Sequence, residues 1–241
     1  MTRCFKAVHC AAAAAMLVVL AASSAEAQVR RVESRNSFGF NLGYFMLKGE
    51  DSRVDDDVLL ADLSSLAFDL SDFNGANVGG EFNFGLGEYL EAGVGVNFYQ
   101  RTVPSVYWDV VSDDGFEIAQ ELKLRVIPFS ATVKFLPLGR GGVEPYVGAG
   151  IGVFNWRYSE VGEFVDFDDD SLFRDRYIAS GTSIGPVVLG GIRFPVADVW
   201  SVGGEVRWQK AEGKDLFEEG LLGDKIDLGG WTTAFTFHLR F

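Results

Sequence analysis

The residues best placed to do chemistry are carboxylates. Asp55-Asp56-Asp57 form one run, and Asp166 with Asp168-Asp169-Asp170 forms another. Grouped carboxylate oxygens bind hard divalent cations, so Asp168, Asp169 and Asp170 are candidate ligands for Ca²⁺ or Mg²⁺. The EF-hand order (D-x-[DN]-x-[DN]-G, then Glu) is absent, and a run of like charges equally describes a solvated, self-repelling surface. Nucleophilic catalysis is poorly served. His238 is the one histidine after residue 27, and Ser183 and Ser201 have no histidine on their own strand face. No His/Cys spacing suits zinc. The chain is expected to be no enzyme and to need no cofactor.

The elements that hold these residues follow from composition and pattern. The 241 residues include 34 acidic and 21 basic side chains, 21 Phe, 7 Tyr, 5 Trp and 29 Gly. So many aromatics exclude a disordered chain, and glycine without a three-residue period excludes collagen. A net charge of −13 argues against a nucleic-acid partner. At the start, Arg3 and Lys6 precede the apolar run 11–22, and Ala25-Glu26-Ala27 closes it. A basic start, a short apolar stretch and an A-x-A site predict a signal peptide over 1–27. The run is too short for a bilayer-spanning helix, which needs about 20 residues. Cys4 and Cys10 both fall inside it, so no disulfide is expected. Without Arg3, Lys6 and Glu26 the rest carries 19 basic and 33 acidic residues, a net −14.

From residue 36 onward the chain alternates with period two, the signature of half-covered strands. Phe38, Phe40, Leu42, Tyr44 and Met46 share one face; Phe82 and Phe84, then Leu90, Val94, Val96 and Phe98, continue the rule. A fourth strand, about 121–136, starts with Leu122, Leu124 and Val126 apolar and then shifts to Ile127, Phe129, Val133 and Phe135. That change of phase just before Pro128 predicts a β-bulge. Further strands carry Val147 to Val153, Ile184 to Ile192, Trp200 to Trp208 and Trp231 to Phe241. Eight strands are expected. Tight turns near 87–88, 138–143 and 195–198 alternate with long loops near 49–73, 102–119, 159–178 and 210–228. The loops hold 25 acidic and 6 basic residues, a net −19, leaving +5 elsewhere.

Which face is oily decides the class. The apolar set is large and aromatic, and no second sheet or helical layer exists to cover it. The opposite set is Gly, Ser, Thr, Asn and a few charges. Oil outside and polarity inside describe a membrane barrel, and loops long on one side only fit the same class. The fold expected is all-β: an eight-stranded antiparallel up-and-down transmembrane β-barrel over 36–241, after a short periplasmic tail at 28–35. Tyr44, Tyr89, Trp156, Tyr158, Trp200, Trp208 and Trp231 lie near segment ends and are expected to form headgroup girdles. The bore of so small a barrel is filled by side chains. Glu81, Glu91, Glu121 and Glu205 are expected there with Arg101, Lys123, Arg125, Arg193, Arg207 and Arg240, neutralising one another because unpaired buried charge is costly.

The sequence resembles the small outer-membrane β-barrels of Gram-negative bacteria, the OmpA-like and OmpW-like barrels. The resemblance rests on the leader and on the segments RVIPFSATVKFLP (125–137), EPYVGAGIGVFNW (144–156) and TFHLRF (236–241). It implies a C-terminal insertion signal in Phe237, Leu239 and Phe241, although Thr236 stands where many such signals carry glycine and Leu239 where an aromatic is common. It also implies outer-membrane lipids, lipopolysaccharide and the barrel-insertion machinery as partners. No peptidoglycan-binding domain follows, so wall anchoring is not expected. Two roles follow: a closed barrel with a structural or surface-interaction role that displays acidic loops, or a narrow path for small hydrophobic or cationic solutes past Phe154 and Trp156.

Overall fold

The computed structural model describes residues 36–112, 114–166 and 171–241; the proposed leader, the tail 28–35 and Asp168, Asp169 and Asp170 lie outside them. Eight strands close a ring: β1 (Asn36–Leu47), β2 (Gly75–Gly85), β3 (Leu90–Val111), β4 (Glu117–Phe135), β5 (Glu144–Val165), β6 (Leu172–Pro195), β7 (Trp200–Gln209) and β10 (Gly230–Arg240). Every ring neighbour is antiparallel, and β1 seals the ring by pairing with β10 from Ser37↔Arg240 to Leu47↔Gly230. Two short strands, β8 (Glu212–Gly213) and β9 (Ile226–Asp227), pair separately. Closure removes every free edge from the lower ring, the condition for crossing hydrocarbon with strands. Gly87 and Gly139 turn the narrow end with φ of 128° and 71°, values an L side chain resists.

Strand length divides the barrel into two storeys. β1, β2, β7 and β10 are 12, 11, 10 and 11 residues long, close to the span of a membrane strand. β3, β4, β5 and β6 are 22, 19, 22 and 24 residues and must rise well above it. Two of the four expected loops are therefore mostly sheet. The stretches 102–119 and 159–178 continue the hairpins β3–β4 and β5–β6, because β-rich residues keep their ladder beyond the bilayer.

The expected bulge at Pro128 is absent. β4 keeps one register with β5 from Gln120↔Gly162 to Phe135↔Val147, and its burial alternates without a break. Ile118, Leu122, Leu124, Val126, Ser130, Thr132 and Lys134 all face inward. What changes near residue 126 is the solvent. Below it, Ile127, Phe129, Val133 and Phe135 face outward; above it, Arg125, Lys123 and Glu121 do. The lower storey is oil-out and the upper storey oil-in.

The upper interior is capped by two connections. Residues 48–74 fold inward around the helix α1 (Val58–Asp62) and a 3₁₀ turn at Leu70–Phe73, and residues 210–229 close over them. Val58, Leu59, Leu66, Phe73, Leu216, Leu221, Ile226 and Leu228 pack with Tyr99, Leu122, Leu124, Phe154, Trp156 and Tyr158 in one core. Trp156 and Tyr158 are thus core residues and not part of a girdle. Tyr44, Tyr89, Trp200 and Trp231 do face outward at strand ends.

Candidate functional site

The charged bore is built from parity. On β2, β3 and β7 the inward positions include Glu81, Glu91, Glu205 and Arg207, all nearly inaccessible. Two layers of ion pairs cross the ring. In the upper layer, Arg207 on β7 donates from Nε and Nη2 to Glu205 Oε1 at 3.1 and 2.9 Å. Its Nη2 also lies 3.4 Å from Glu81 Oε2 on β2, on the far side of β10 and β1. Lys134 on β4 pairs with the same Glu81 and donates to Asn83 Oδ1 at 3.1 Å. Tyr146 donates to Glu205 Oε2 at 3.0 Å.

In the lower layer, Arg193 on β6 reaches Glu91 on β3 at 3.1 Å and Glu144 on β5 at 3.7 Å. Arg240 and Arg140 add contacts to Glu144 and Glu91 at 3.0 and 3.2 Å. The Tyr146 ring lies between the layers, with Arg193 4.9 Å and Lys134 5.3 Å from its centroid. Gly191 makes this possible, since a Cβ there would stand 2.5 Å from Tyr146 Oη. Between the upper pairs and the cap, the void bordered by Asn41, Asn77 and Asn97 measures about 10 Å³, hardly one water.

Six of the expected bore residues are brought together: Glu81, Glu91, Arg193, Glu205, Arg207 and Arg240. Four are not. Glu121, Lys123 and Arg125 face outward on β4, a direct consequence of the missing bulge. Arg101 has inward parity but is exposed at the rim, where its Nε donates to the Asp72 carbonyl at 2.8 Å. Among the bore charges the sequence reading missed Lys134, Glu144 and Arg140. Lys134 was the findable one, a lone cation within the oily lower half of β4. Arg140 sits where a turn was read and Glu144 at the junction between that turn and the next strand, where parity is not yet set. Ser201 is the register partner of His238 across β7 and β10, both inward, so the absence of a same-strand histidine did not mean distance. No hydrogen bond joins Ser201 Oγ to either ring nitrogen.

Above the bore, one buried carboxylate ties the cap together. Asp57 accepts from the Leu59 amide at 3.0 Å as the N-cap of α1, from Arg53 Nη2 at 2.8 Å and from the Asp227 amide at 2.6 Å. Lys48 pairs with Asp227 at 2.7 Å. Part of the acidic run at 55–57 is therefore structural. Among the described residues, no group of three His, Cys, Asp or Glu side chains is arranged to hold a metal.

A closed antiparallel ring, aliphatic and aromatic outside and ion-paired within, defines a small outer-membrane β-barrel. The chain belongs to the outer membrane protein beta-barrel domain family, whose model matches residues 12–239. Its location is the outer membrane. The solved structure of outer membrane protein OprG from Pseudomonas aeruginosa is similar at 13% identity and a TM-score of 0.49, covering 86% of this chain and 97% of that one. Neisserial surface protein A is similar at 13% identity and a TM-score of 0.46, with coverage of 86% and 98%. Outer membrane protein W of E. coli is similar at 17% identity and a TM-score of 0.38, with coverage of 87% and 100%. No curated protein matches the chain.

Proposed function

We propose that this protein is a closed outer-membrane barrel with a structural or surface-interaction role, and not an open pore. One observation carries the reading: two layers of ion pairs cross the bore, and the void between the upper layer and the apolar cap measures about 10 Å³. A continuous aqueous path would need those pairs to separate, at several kcal/mol per uncompensated charge. The reading is non-enzymatic, because His238 and Ser201 lie buried in the bore beside the lower layer. Lipopolysaccharide suits the basic rim just above the oily band, where Arg125 and Arg157 are register partners and Lys123 stands one outward position higher. The outward side chains of Phe237 and Phe241 support recognition by the insertion machinery. Divalent cations at Asp168, Asp169 and Asp170 remain part of the proposal.

A second reading, a path for small hydrophobic or cationic solutes, draws on a cleft of about 850 Å³ where β6 outruns β7, beside Trp156 and Ser183. Phe154 does not line it; that ring is sealed in the cap core. Purified barrel in planar bilayers is expected to give no steady conductance. Regular single-channel steps would overturn the closed-barrel reading in favour of the second.

A further inference from the structure

The extracellular storey contains a cavity of about 180 Å³ that no ion pair serves, between α1, β3, β4, β5, β6 and the 210–229 connection. Its walls include Asp62, Glu160 and Gln120, only 1%, 5% and 3% exposed. Each has one side-chain oxygen to which no amide, hydroxyl or basic group donates: Asp62 Oδ1, Glu160 Oε1 and Gln120 Oε1. Asp62 and Glu160 also hydrogen-bond to each other, and Tyr158 to both. Tyr158 Oη donates to Asp62 Oδ2 at 2.8 Å, and Gln120 Nε2 donates to Tyr107 Oη at 2.9 Å and to the Glu163 carbonyl at 3.2 Å. Among the described residues, neither Asp62 nor Glu160 has a basic partner within ion-pair distance. Elsewhere in this barrel, buried carboxylates are answered by Arg or Lys. Here no cation does, and the two carboxyls are held together by a shared proton.

We propose that this cavity binds a small organic cation, a primary ammonium on a short apolar body. Once the proton between Asp62 and Glu160 is displaced, their two oxygens and Gln120 Oε1 match the three N–H donors of an ammonium. A hard divalent ion would ask for six to eight oxygens and gains nothing from aromatic walls. The remaining walls are aromatic: Tyr107, Tyr177 and Phe164, the last two in edge-to-face contact at 4.9 Å. Such rings favour a cation carrying an alkyl chain. The volume admits about six water-sized groups, the size of a butylamine.

Protons compete for the same charge. Burial pushes the Glu160 carboxyl up to about 7. Burial, then the neighbouring Glu160 charge, raises Asp62 as well. Tyr158, Tyr107 and Tyr177 face the pair as neutral phenols, and Asp57 and Asp175 add only further negative charge nearby. The cation is therefore held above pH 7 and released as Glu160 protonates below it.

The test is calorimetric titration of the folded full-length barrel in detergent with n-butylammonium, n-butanol and CaCl₂. Butylammonium is expected to bind, butanol and Ca²⁺ to bind at least about tenfold more weakly, and affinity to fall as pH drops from about 8 to about 6. Glu160→Gln and Asp62→Asn should each weaken butylammonium at least about tenfold. Glu160→Gln is not expected to unfold. An acid whose folded pKa is raised binds more protons folded than unfolded, so the empty wild type loses stability as pH rises from the ordinary glutamate range towards 7, and the amide escapes that loss. Equal binding of butanol, preference for Ca²⁺, or unchanged binding by a folded Glu160→Gln barrel would each overturn the proposal. The site lies above the sealed bore, so conductance results do not bear on it.

Discussion

Replacing Arg207 by methionine is expected to destabilise the folded barrel by about 3–5 kcal/mol, read from urea unfolding in phospholipid vesicles. Among the described residues, Arg207 is the only cation on Glu205 and one of two on Glu81. Methionine keeps most of the volume but leaves Glu205 facing only the Tyr146 hydroxyl. The loss arises from stranded charge and not from lost packing, which makes a second expectation sharp. Adding Glu205→Gln to the Arg207→Met background should recover part of the loss, because a neutral amide costs less to bury than an unpaired carboxylate. Arg174→Ala, which breaks an exposed pair with Glu163 at 3.4 Å, should change stability by less than about 0.5 kcal/mol. A double variant less stable than Arg207→Met alone would refute the stranded-charge explanation.

The second large effect belongs to the cap. Asp57→Ala removes the N-cap of α1, the partner of buried Arg53 and an acceptor for the Asp227 amide in one step. Stranding a buried guanidinium costs about 3 kcal/mol or more. Opening of residues 48–74 should thus become roughly a hundredfold more frequent. Trypsin reads this directly, since Arg53 is 9% exposed in the closed cap. Cleavage after Arg53 is expected to accelerate by about that factor when opening and closing outpace cleavage. Asp55→Ala, an exposed neighbour, should leave the rate unchanged. Equal cleavage of the two variants would mean that 48–74 is not anchored as described.

Much of this architecture was legible in the sequence, and the failures share a cause. Period-two alternation placed all eight ring strands and the outward faces of β1, β2, β3, β5 and β7. It succeeded because in the lower storey face and chemistry coincide. In the upper storey that link reverses. Leu122, Leu124 and Val126 face inward and Glu121, Lys123 and Arg125 outward, as in a soluble barrel. Reading chemistry as face converted a change of surroundings into a bulge, and three charges were sent to the wrong side. Trp156 and Tyr158 misled in the same way, as interfacial residue types placed above the interface. The cap was hidden because 48–74 and 210–229 read as acidic loops. Their burial depends on Leu59, Phe73, Leu216 and Leu228, which have no strand period, and on contacts far apart in sequence such as Asp57 with Asp227. Of the bore, the glutamates and arginines on regular strands were visible from parity; those in turns were not.

The central claim is that β4 crosses from hydrocarbon to water without changing face, and spin-label accessibility along it is the direct measurement. Cys4 and Cys10 are the only cysteines and precede residue 28, so single cysteines introduced from 121 to 135 in a barrel that starts at residue 28 meet no competing thiol. In vesicles, labels at 127, 129, 133 and 135 should collide readily with oxygen and poorly with a water-soluble nickel chelate. Labels at 121, 123 and 125 should show the reverse, and 122, 124 and 126 should be shielded from both. Nickel-shielded labels at 121, 123 and 125 with lipid-accessible ones at 122, 124 and 126 would contradict the two-storey barrel and restore a bulge before Pro128.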